Sequence, residues 1–286
     1  MNNFLVTGGA GFIGSHLVDK LVNLGHYVRV WDNCSNGHNQ NPLAKNYNIS
    51  VEKIEPKYHN ESSFIFHLAA EARIQPSFKN PMSVHDSNVT GTVRLLELAR
   101  RTNSNMIFVS SSSVQYGELE NPYTFTKWVG ENYCRLYHKL FGVKVQIVRP
   151  FNVYGPRQPE DPEQSTLIGA FSRQLKSGQP LEITGAGNQR RDFIHVDDLT
   201  DGLLALLQDG VNWSEVNIFN LGTGKNYSVN EIAGMFEHPV RYLPARPGEV
   251  MDTLADIGYT QSVLAWMPKH ELGDYVKNIL CAQQKR

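Results

Sequence analysis

Tyr123 and Lys127 stand four residues apart in "NPYTFTK", a short way behind a run of four serines, Ser110 to Ser113. On a helix this spacing puts both side chains on one face. A phenol ionises near pH 10 and is a poor base at neutral pH. A neighbouring ammonium favours the phenolate, bringing the group toward the range where proton transfer to or from a substrate is efficient. A serine hydroxyl at the end of the preceding strand completes a hydrogen-bonded site around a substrate oxygen. The competing reading is simple packing, because Y-x-x-x-K recurs by chance and a tyrosine at a helix start commonly only packs.

The N-terminal stretch tips the balance. In "TGGAGFIG", Gly8, Gly11 and Gly14 follow an apolar run and open a helical pattern, and Gly9-x-Gly11-x-x-Gly14 satisfies the dinucleotide fingerprint. Glycines are needed where the backbone turns tightly and a pyrophosphate approaches outward-pointing N–H groups at a helix start. Asp32 lies eighteen residues beyond Gly14 at the end of a second apolar run. Its carboxylate suits both ribose hydroxyls of NAD and repels a 2′-phosphate. The following "NCSNGHN" has no Arg or Lys to neutralise such a phosphate, so NAD is expected over NADP. The alternative is a tight turn and a capping aspartate.

These residues need a frame. "FLVT", "YVRVWD", "SSFIFHLAA", "NMIFVSSSS" and "VKVQIVRP" read as short strands. Between them, "IGSHLVDKLVNLG", residues 82–101 and "YTFTKWVGENYCRLYHKLFG" have helical spacing. The alternation predicts an α/β fold, a Rossmann-type doubly wound parallel sheet with a smaller C-terminal α/β substrate lobe. We expect an NAD-binding domain over 1–155, with a return of 193–225 to it, and a nucleotide-sugar lobe over 156–286, because "NVYGPRQPEDPEQS" is rich in Pro, Gly and polar residues. In 43–63 only "ISVEKI" resembles a strand.

The chain has 286 residues and a formal net charge of −1, too small to hold nucleic acid or an anionic membrane. Its three cysteines are widely spaced without a C-x-x-C pair, which predicts free thiols with neither disulfide framework nor metal site. The N-terminus lacks a basic leader, and no apolar stretch nears the roughly 20 residues of a membrane helix. The expectation is a cytoplasmic protein with no membrane and no nucleic-acid partner.

The chain resembles the extended short-chain dehydrogenase/reductase family, in particular its NAD-dependent nucleotide-sugar epimerases. The resemblance runs nearly end to end, on "TGGAGFIGSHL", "WDN", "FHLAA", "NVTGT", "SSSSVQYG", "YTFTK", "VRPFNVYGPRQ", "GAGNQRRDFIHVDD", "NLGTG" and "RPGEV". It implies a catalytic set of Ser112, Tyr123 and Lys127, with Ser112 selected by counting back from Tyr116-Gly117. Lys127 would also hold the nicotinamide ribose. Cofactor contacts are implied at Gly8, Gly11, Phe12, Ile13, Gly14, Asp32, Asn33, Leu68, Ala69 and Ala70. On the substrate side the resemblance implies Ser77, Ser112 and Asn152, diphosphate clamps at Arg191 and Arg246, Glu249 on the uridine ribose, and Thr253 at a position that gates pocket size. The stretch from Gly117 to Tyr123 is shorter than is usual in the family, and the family's adenine-side Asp-Ile/Val pair is not evident in "SVEKIEPKYHNE".

In that family, hydride leaves sugar C4 for NAD while the tyrosine takes the O4 proton. The 4,6-dehydratases place an Asp–Glu pair directly after the strand-end hydroxyl; here those positions are Ser113 and Val114, with no carboxylate. The expected reaction is therefore C4 epimerisation of a UDP-hexose. Thr253, in place of a bulky aromatic, should leave room for N-acetyl groups, so UDP-GlcNAc/UDP-GalNAc is expected beside UDP-Glc/UDP-Gal. The alternatives are a uronic-acid epimerase, a 4,6-dehydratase, or a non-catalytic NAD-binding regulator. Family members pair through two long helices, here 82–101 and 124–141, which implies a homodimer.

Overall fold

Strands that are covered on both faces have no polar side to show, and this is why the N-terminal strands read as nearly unbroken apolar runs. In a computed structural model describing residues 2–55, 62–245 and 250–284, they form β1 (Asn3–Thr7), β2 (Tyr27–Asp32), β4 (Phe64–His67), β5 (Asn105–Val109) and β6 (Val145–Pro150), with a polar edge strand β3 (Lys45–Asn48). With β10 (Ile218–Leu221) they make a seven-stranded sheet in the order β10-β6-β5-β4-β1-β2-β3. Neighbours from β3 to β6 run parallel. Phe4, Leu5, Val6, Ile65 and Phe66 are fully buried along its centre. The expected doubly wound α/β sheet is present.

Helices α1 (Phe12–Asn23), α2 (Ile74–Lys79), α3 (Pro81–His85), α4 (Gly91–Thr102) and α5 (Pro122–Phe141) cross between these strands. The helix expected over 82–101 is α3 and α4 joined by a wide π turn, Asp86–Thr90, which side-chain periodicity alone does not reveal. "ISVEKI" is not a strand. Val51–Lys53 form a 3-10 turn pinned by buried Val51 and Ile54, and the edge strand is the polar "KNYN" just before it.

The chain divides into two compact units, Met1–Arg149 with Leu206–Phe219, and Pro150–Ala205 with Asn220–Arg286. In the second, β7 (Asn152–Tyr154), β9 (Arg190–His195) and β11 (Asn226–Ser228) form a three-stranded sheet, and β8 (Leu181–Thr184) pairs with β12 (Val240–Leu243). Helices α6 (Leu167–Lys176), α7 (Val196–Ala205), α8 (Val229–Met235), α9 (Gly258–Leu264) and α10 (Leu272–Gln284) complete it. Its core gathers Tyr154, Phe171, Ile183, Ile232 and Phe236.

The aspartates of "RRDFIHVDD" serve this second unit. Asp192 takes N–H donors from Thr223, Gly224 and Ala255 and the Thr223 hydroxyl. Asp198 accepts from the Lys269 and His270 amides and bonds the His270 ring. His195, Asp197 and His270 bring possible ligand atoms within 4.8 Å of one another. The two imidazoles, however, stack at 4.3 Å and 21°, so their in-plane lone pairs run side by side instead of meeting at one point. That is packing geometry.

Candidate active site

Between β1 and α1 the glycines are a steric necessity. Gly8 has φ +71°, and a Cβ there would stand 2.7 Å from the Ala69 nitrogen; one on Gly14 would stand 2.0 Å from the Gly8 carbonyl oxygen. Gly11 donates to that same oxygen at 3.2 Å and precedes α1 with no side chain capping the helix. The first N–H groups of α1 are thus left to a ligand, the arrangement that receives a phosphate. Phe12 and Ile13 are half-buried in this first turn. Asp32 is fixed by amide donors from Ala10 (2.9 Å) and Cys34 (2.7 Å), which holds its carboxylate at the rim of the glycine turn. Leu68 and Ala69 donate to the Thr7 carbonyl and hydroxyl, so Leu68, Ala69 and the half-buried Ala70 run beside Gly8. Asn33 faces the neighbouring loop, bonding Ser50 and Ser35. A side-chain-free turn, an uncapped helix start and a carboxylate at the end of β2 fit a dinucleotide whose ribose carries free hydroxyls.

A directed hydrogen-bond chain ties this turn to the tyrosine helix. The Thr92 hydroxyl donates to the Asn88 carbonyl, so toward His67 it accepts; His67 therefore carries its proton on Nε2 and accepts the Thr7 hydroxyl on Nδ1. Burial, with the Lys127 charge, lowers His67 to about 3 and keeps it neutral. Asn88 clamps the amide and carbonyl of Glu71 and donates to the Thr126 hydroxyl, which donates to the Tyr123 carbonyl.

Asn121 caps α5 by accepting from the Thr124 amide at 2.8 Å, and Pro122 occupies the first turn, where a missing N–H costs nothing. Tyr123 and Lys127 are both buried on α5. The Tyr123 amide donates to Ser77 Oγ at 3.2 Å. Lys127 Nζ donates to the Val109 carbonyl at 2.8 Å, at the end of β5, and burial brings its pKa down to about 8. Burial raises the Tyr123 phenol, opposed by a hydrogen bond with the Ser111 hydroxyl and then by the charge of Arg73. Ser112, the serine that counting back from Tyr116-Gly117 selects, is half-buried and opens the 3-10 turn Ser112–Tyr116, directly after Ser111.

One buried residue of this constellation went unread in the sequence: Glu131. Glu131 had a signal, since Tyr123, Lys127 and Glu131 recur every four residues along one helix face. Its carboxylate is wholly buried, taking Ser110 Oγ at 2.7 Å and both guanidinium arms of Arg149 at 2.7 and 2.6 Å.

In the second unit the structure gathers three implied substrate residues. Asn152 on β7 donates to the Asp192 carbonyl at 2.7 Å. Arg191 on β9 folds back onto the Arg190 carbonyl at 2.8 Å. Thr253 exchanges backbone bonds with Arg190 and Asp192, and its buried hydroxyl has no hydrogen-bond partner. Arg246 and Glu249 lie outside the described residues.

Comparison with known proteins matches residues 4–222 to the family described as "NAD dependent epimerase/dehydratase family". A curated relative from Methanocaldococcus jannaschii, "Putative UDP-glucose 4-epimerase", is 36% identical over 304 aligned residues, covering 96% of each chain. The crystal structure of a Thermotoga maritima UDP-glucose 4-epimerase with UDP-glucose superposes with TM-score 0.89 at 32% identity, covering 99% of both chains. A Bacillus cereus UDP-glucuronic acid 4-epimerase in complex with UDP-glucuronic acid and NAD gives 0.88 at 28% identity, covering 99% of both.

Proposed function

Because this chain belongs to the NAD dependent epimerase/dehydratase family, we propose that it interconverts the C4 epimers of a UDP-hexose, UDP-Glc with UDP-Gal and UDP-GlcNAc with UDP-GalNAc. When bound, NAD supplies the hydride acceptor and donor for sugar C4. The residues of this chain do the rest. Gly8, Gly11, Gly14 and the start of α1 seat the pyrophosphate, and Asp32 takes the ribose hydroxyls. Lys127 stands one turn from Tyr123 to bond the nicotinamide ribose. Tyr123 removes the sugar O4 proton and returns it after the 4-keto sugar has turned over, with Ser111 and Ser112 around the oxygen and Ser77 at the helix start. Asn152, Arg191 and Arg246, Glu249 and Thr253 meet the rest of the UDP-sugar.

The observation that carries this reading is the serine turn. At the two positions after Ser112, Ser113 donates its hydroxyl to Ser111 at 2.9 Å, and Val114 is buried and apolar. Neither can remove a proton from sugar C5, as a dehydratase requires, so the keto intermediate is left to accept hydride on its other face. The small Thr253 side chain supports acceptance of acetylated sugars.

The test is incubation of the NAD-loaded protein with UDP-Glc, UDP-GlcNAc and UDP-GlcA, with product epimers resolved by chromatography. Epimers of the first two are expected. A 4-keto-6-deoxy product, or turnover of UDP-GlcA alone, would replace the reading. Bound NAD without any turnover would point to a regulator.

We further propose a cytoplasmic homodimer. Among the described residues no helix is long and apolar enough to cross a membrane, and Cys34, Cys134 and Cys281 are free. Met82 on α3, with Phe125, Leu136, Leu140 and Phe141 on α5, are exposed apolar residues on the two helical segments expected to pair. Light scattering after gel filtration distinguishes one chain from two.

A further inference from the structure

Asp192 lies on β9, the central strand of the three-stranded sheet, and is wholly buried. Segments far apart in the chain fasten to its carboxylate. One oxygen accepts the Thr223 amide at 2.8 Å and the Thr223 hydroxyl at 2.7 Å; the other accepts the amides of Gly224 at 2.9 Å and Ala255 at 3.2 Å. Its backbone holds two more. The Asp192 amide donates to the Thr253 carbonyl at 3.1 Å, and its carbonyl accepts the Asn152 side-chain amide at 2.7 Å. Nearby on the strand, the Arg190 carbonyl accepts both the Thr253 amide at 3.1 Å and the Arg191 guanidinium at 2.8 Å. Asn152, Arg191 and Thr253 thus converge on the stretch Arg190–Asp192.

We propose that Asp192 is a positioning residue for the substrate, its buried carboxylate fixing the frame from which Asn152, Arg191 and Thr253 meet the nucleotide diphosphate and sugar of a UDP-hexose. This deepens the epimerase reading and rests on it for the roles of those three residues. Four donors fill the acceptor positions of an ionised carboxylate, so Asp192 has none left for a ligand. Thr253 is the opposite case, because its buried hydroxyl has no partner. The Asp192 amide holds Thr253 and the carboxylate holds Ala255 just beyond it, so that hydroxyl is set on a stretch gripped at both ends. Packing reinforces the grip: a Cβ on Gly222 would stand 2.4 Å from the Ala255 Cβ and 3.0 Å from an Asp192 carboxylate oxygen. Asp198 of the same motif is also buried, yet its carboxylate takes the Lys269 and His270 amides and the His270 ring, a stretch that carries none of the implied substrate residues. The two aspartates therefore separate holding the unit together from setting its binding residues.

The test is calorimetric titration of the NAD-loaded protein with UDP, beside steady-state kinetics on UDP-Glc. Asp192→Asn turns an N–H toward groups that need an acceptor. It should weaken UDP binding and raise KM about 10- to 100-fold, the scale of an ångström-sized misplacement, with NAD affinity unchanged and kcat moved far less than KM. Asp198→Asn should lose stability in urea and keep its UDP affinity. Should Asp192→Asn fail to fold, Thr223→Val removes only the hydroxyl donor and should weaken UDP binding about 3- to 10-fold, while Thr223→Ser keeps that donor and the affinity. Undiminished UDP affinity in folded Asp192→Asn overturns the proposal, as does an equal loss in Asp198→Asn or equal affinities in the two Thr223 variants. A wild-type protein that binds no UDP would remove the functional reading and this role with it, whereas an active epimerase indifferent to Asp192→Asn would remove only the role of Asp192.

Discussion

Ser111 accepts from Ser113 twice, from the amide at 3.2 Å and the hydroxyl at 2.9 Å, and its hydroxyl draws the pKa of the Tyr123 phenol down against the rise that burial imposes. Those two bonds fill the acceptor positions of Ser111, so its proton is what remains to donate. A donor of that kind favours the phenolate. Ser111→Ala should therefore raise the acid limb of the kcat profile and lower kcat at neutral pH about 10- to 100-fold, the scale of a lost hydrogen bond to a charged group. Ser112→Ala should raise KM and leave the limb in place. Parallel pH–rate profiles decide it, and an unmoved limb in Ser111→Ala would sink the assignment.

Asp32 is held on both carboxylate oxygens by backbone amides of Ala10 and Cys34, so its charge is fixed in position before any ribose arrives. Replacing it with alanine should cost NAD affinity about 10- to 100-fold. It should also narrow the preference over NADP, because the repulsion of a 2′-phosphate is removed with the charge. Calorimetric titration with each dinucleotide measures both. Undiminished discrimination in Asp32→Ala would show that some other group reads the ribose.

The glycine turn and the start of α5 were legible in the sequence because each is dictated locally. At Gly8 and Gly14 only a residue without Cβ fits, and Asn121-Pro122 is a cap followed by the residue that tolerates the first turn. What stayed hidden depends on residues far apart in the chain. Glu131 gains its meaning from Ser110 and Arg149, which its carboxylate binds from the strands on either side. The strand at Lys45–Asn48 carries no apolar signature, being an exposed edge, while "ISVEKI" looked apolar because Val51 and Ile54 anchor a turn. Neither period nor composition reports such tertiary anchoring.

Glu131 is the fastening between the serine run and the sheet. Its wholly buried carboxylate binds Ser110 and, in fork geometry, an Arg149 that is only 14% exposed. Removing one member strands a desolvated charge, which costs about 3 to 5 kcal/mol. Glu131→Gln and Arg149→Met should each lose stability on that scale in urea denaturation, and the double variant should lose clearly less than their sum. Strict additivity would mean that the pair does not act as a unit.

His67 makes stability depend on pH in a direction fixed by its burial. Its folded pKa lies at about 3, against 6.5 when exposed, so between those values the unfolded chain binds a proton that the folded chain refuses. Stability rises with pH across this window: its contribution is fully present above pH 6.5 and is lost as the pH falls toward 3, by about 2 kcal/mol at pH 5. The refusal has a structural reason. A proton on Nδ1 would break the bond that His67 accepts from Thr7, and with it the chain through Thr92 and Asn88 that seats Tyr123 against the cofactor turn. His67→Gln can bridge the same two threonines but cannot titrate. It should start less stable at neutral pH, because the amide fills less of the space between Thr7 and Thr92, and then lose less as the solution is acidified. Denaturation midpoints at a series of pH values from 7 to 4 give both slopes, and equal slopes for the two proteins would show that the acid sensitivity arises elsewhere in the chain.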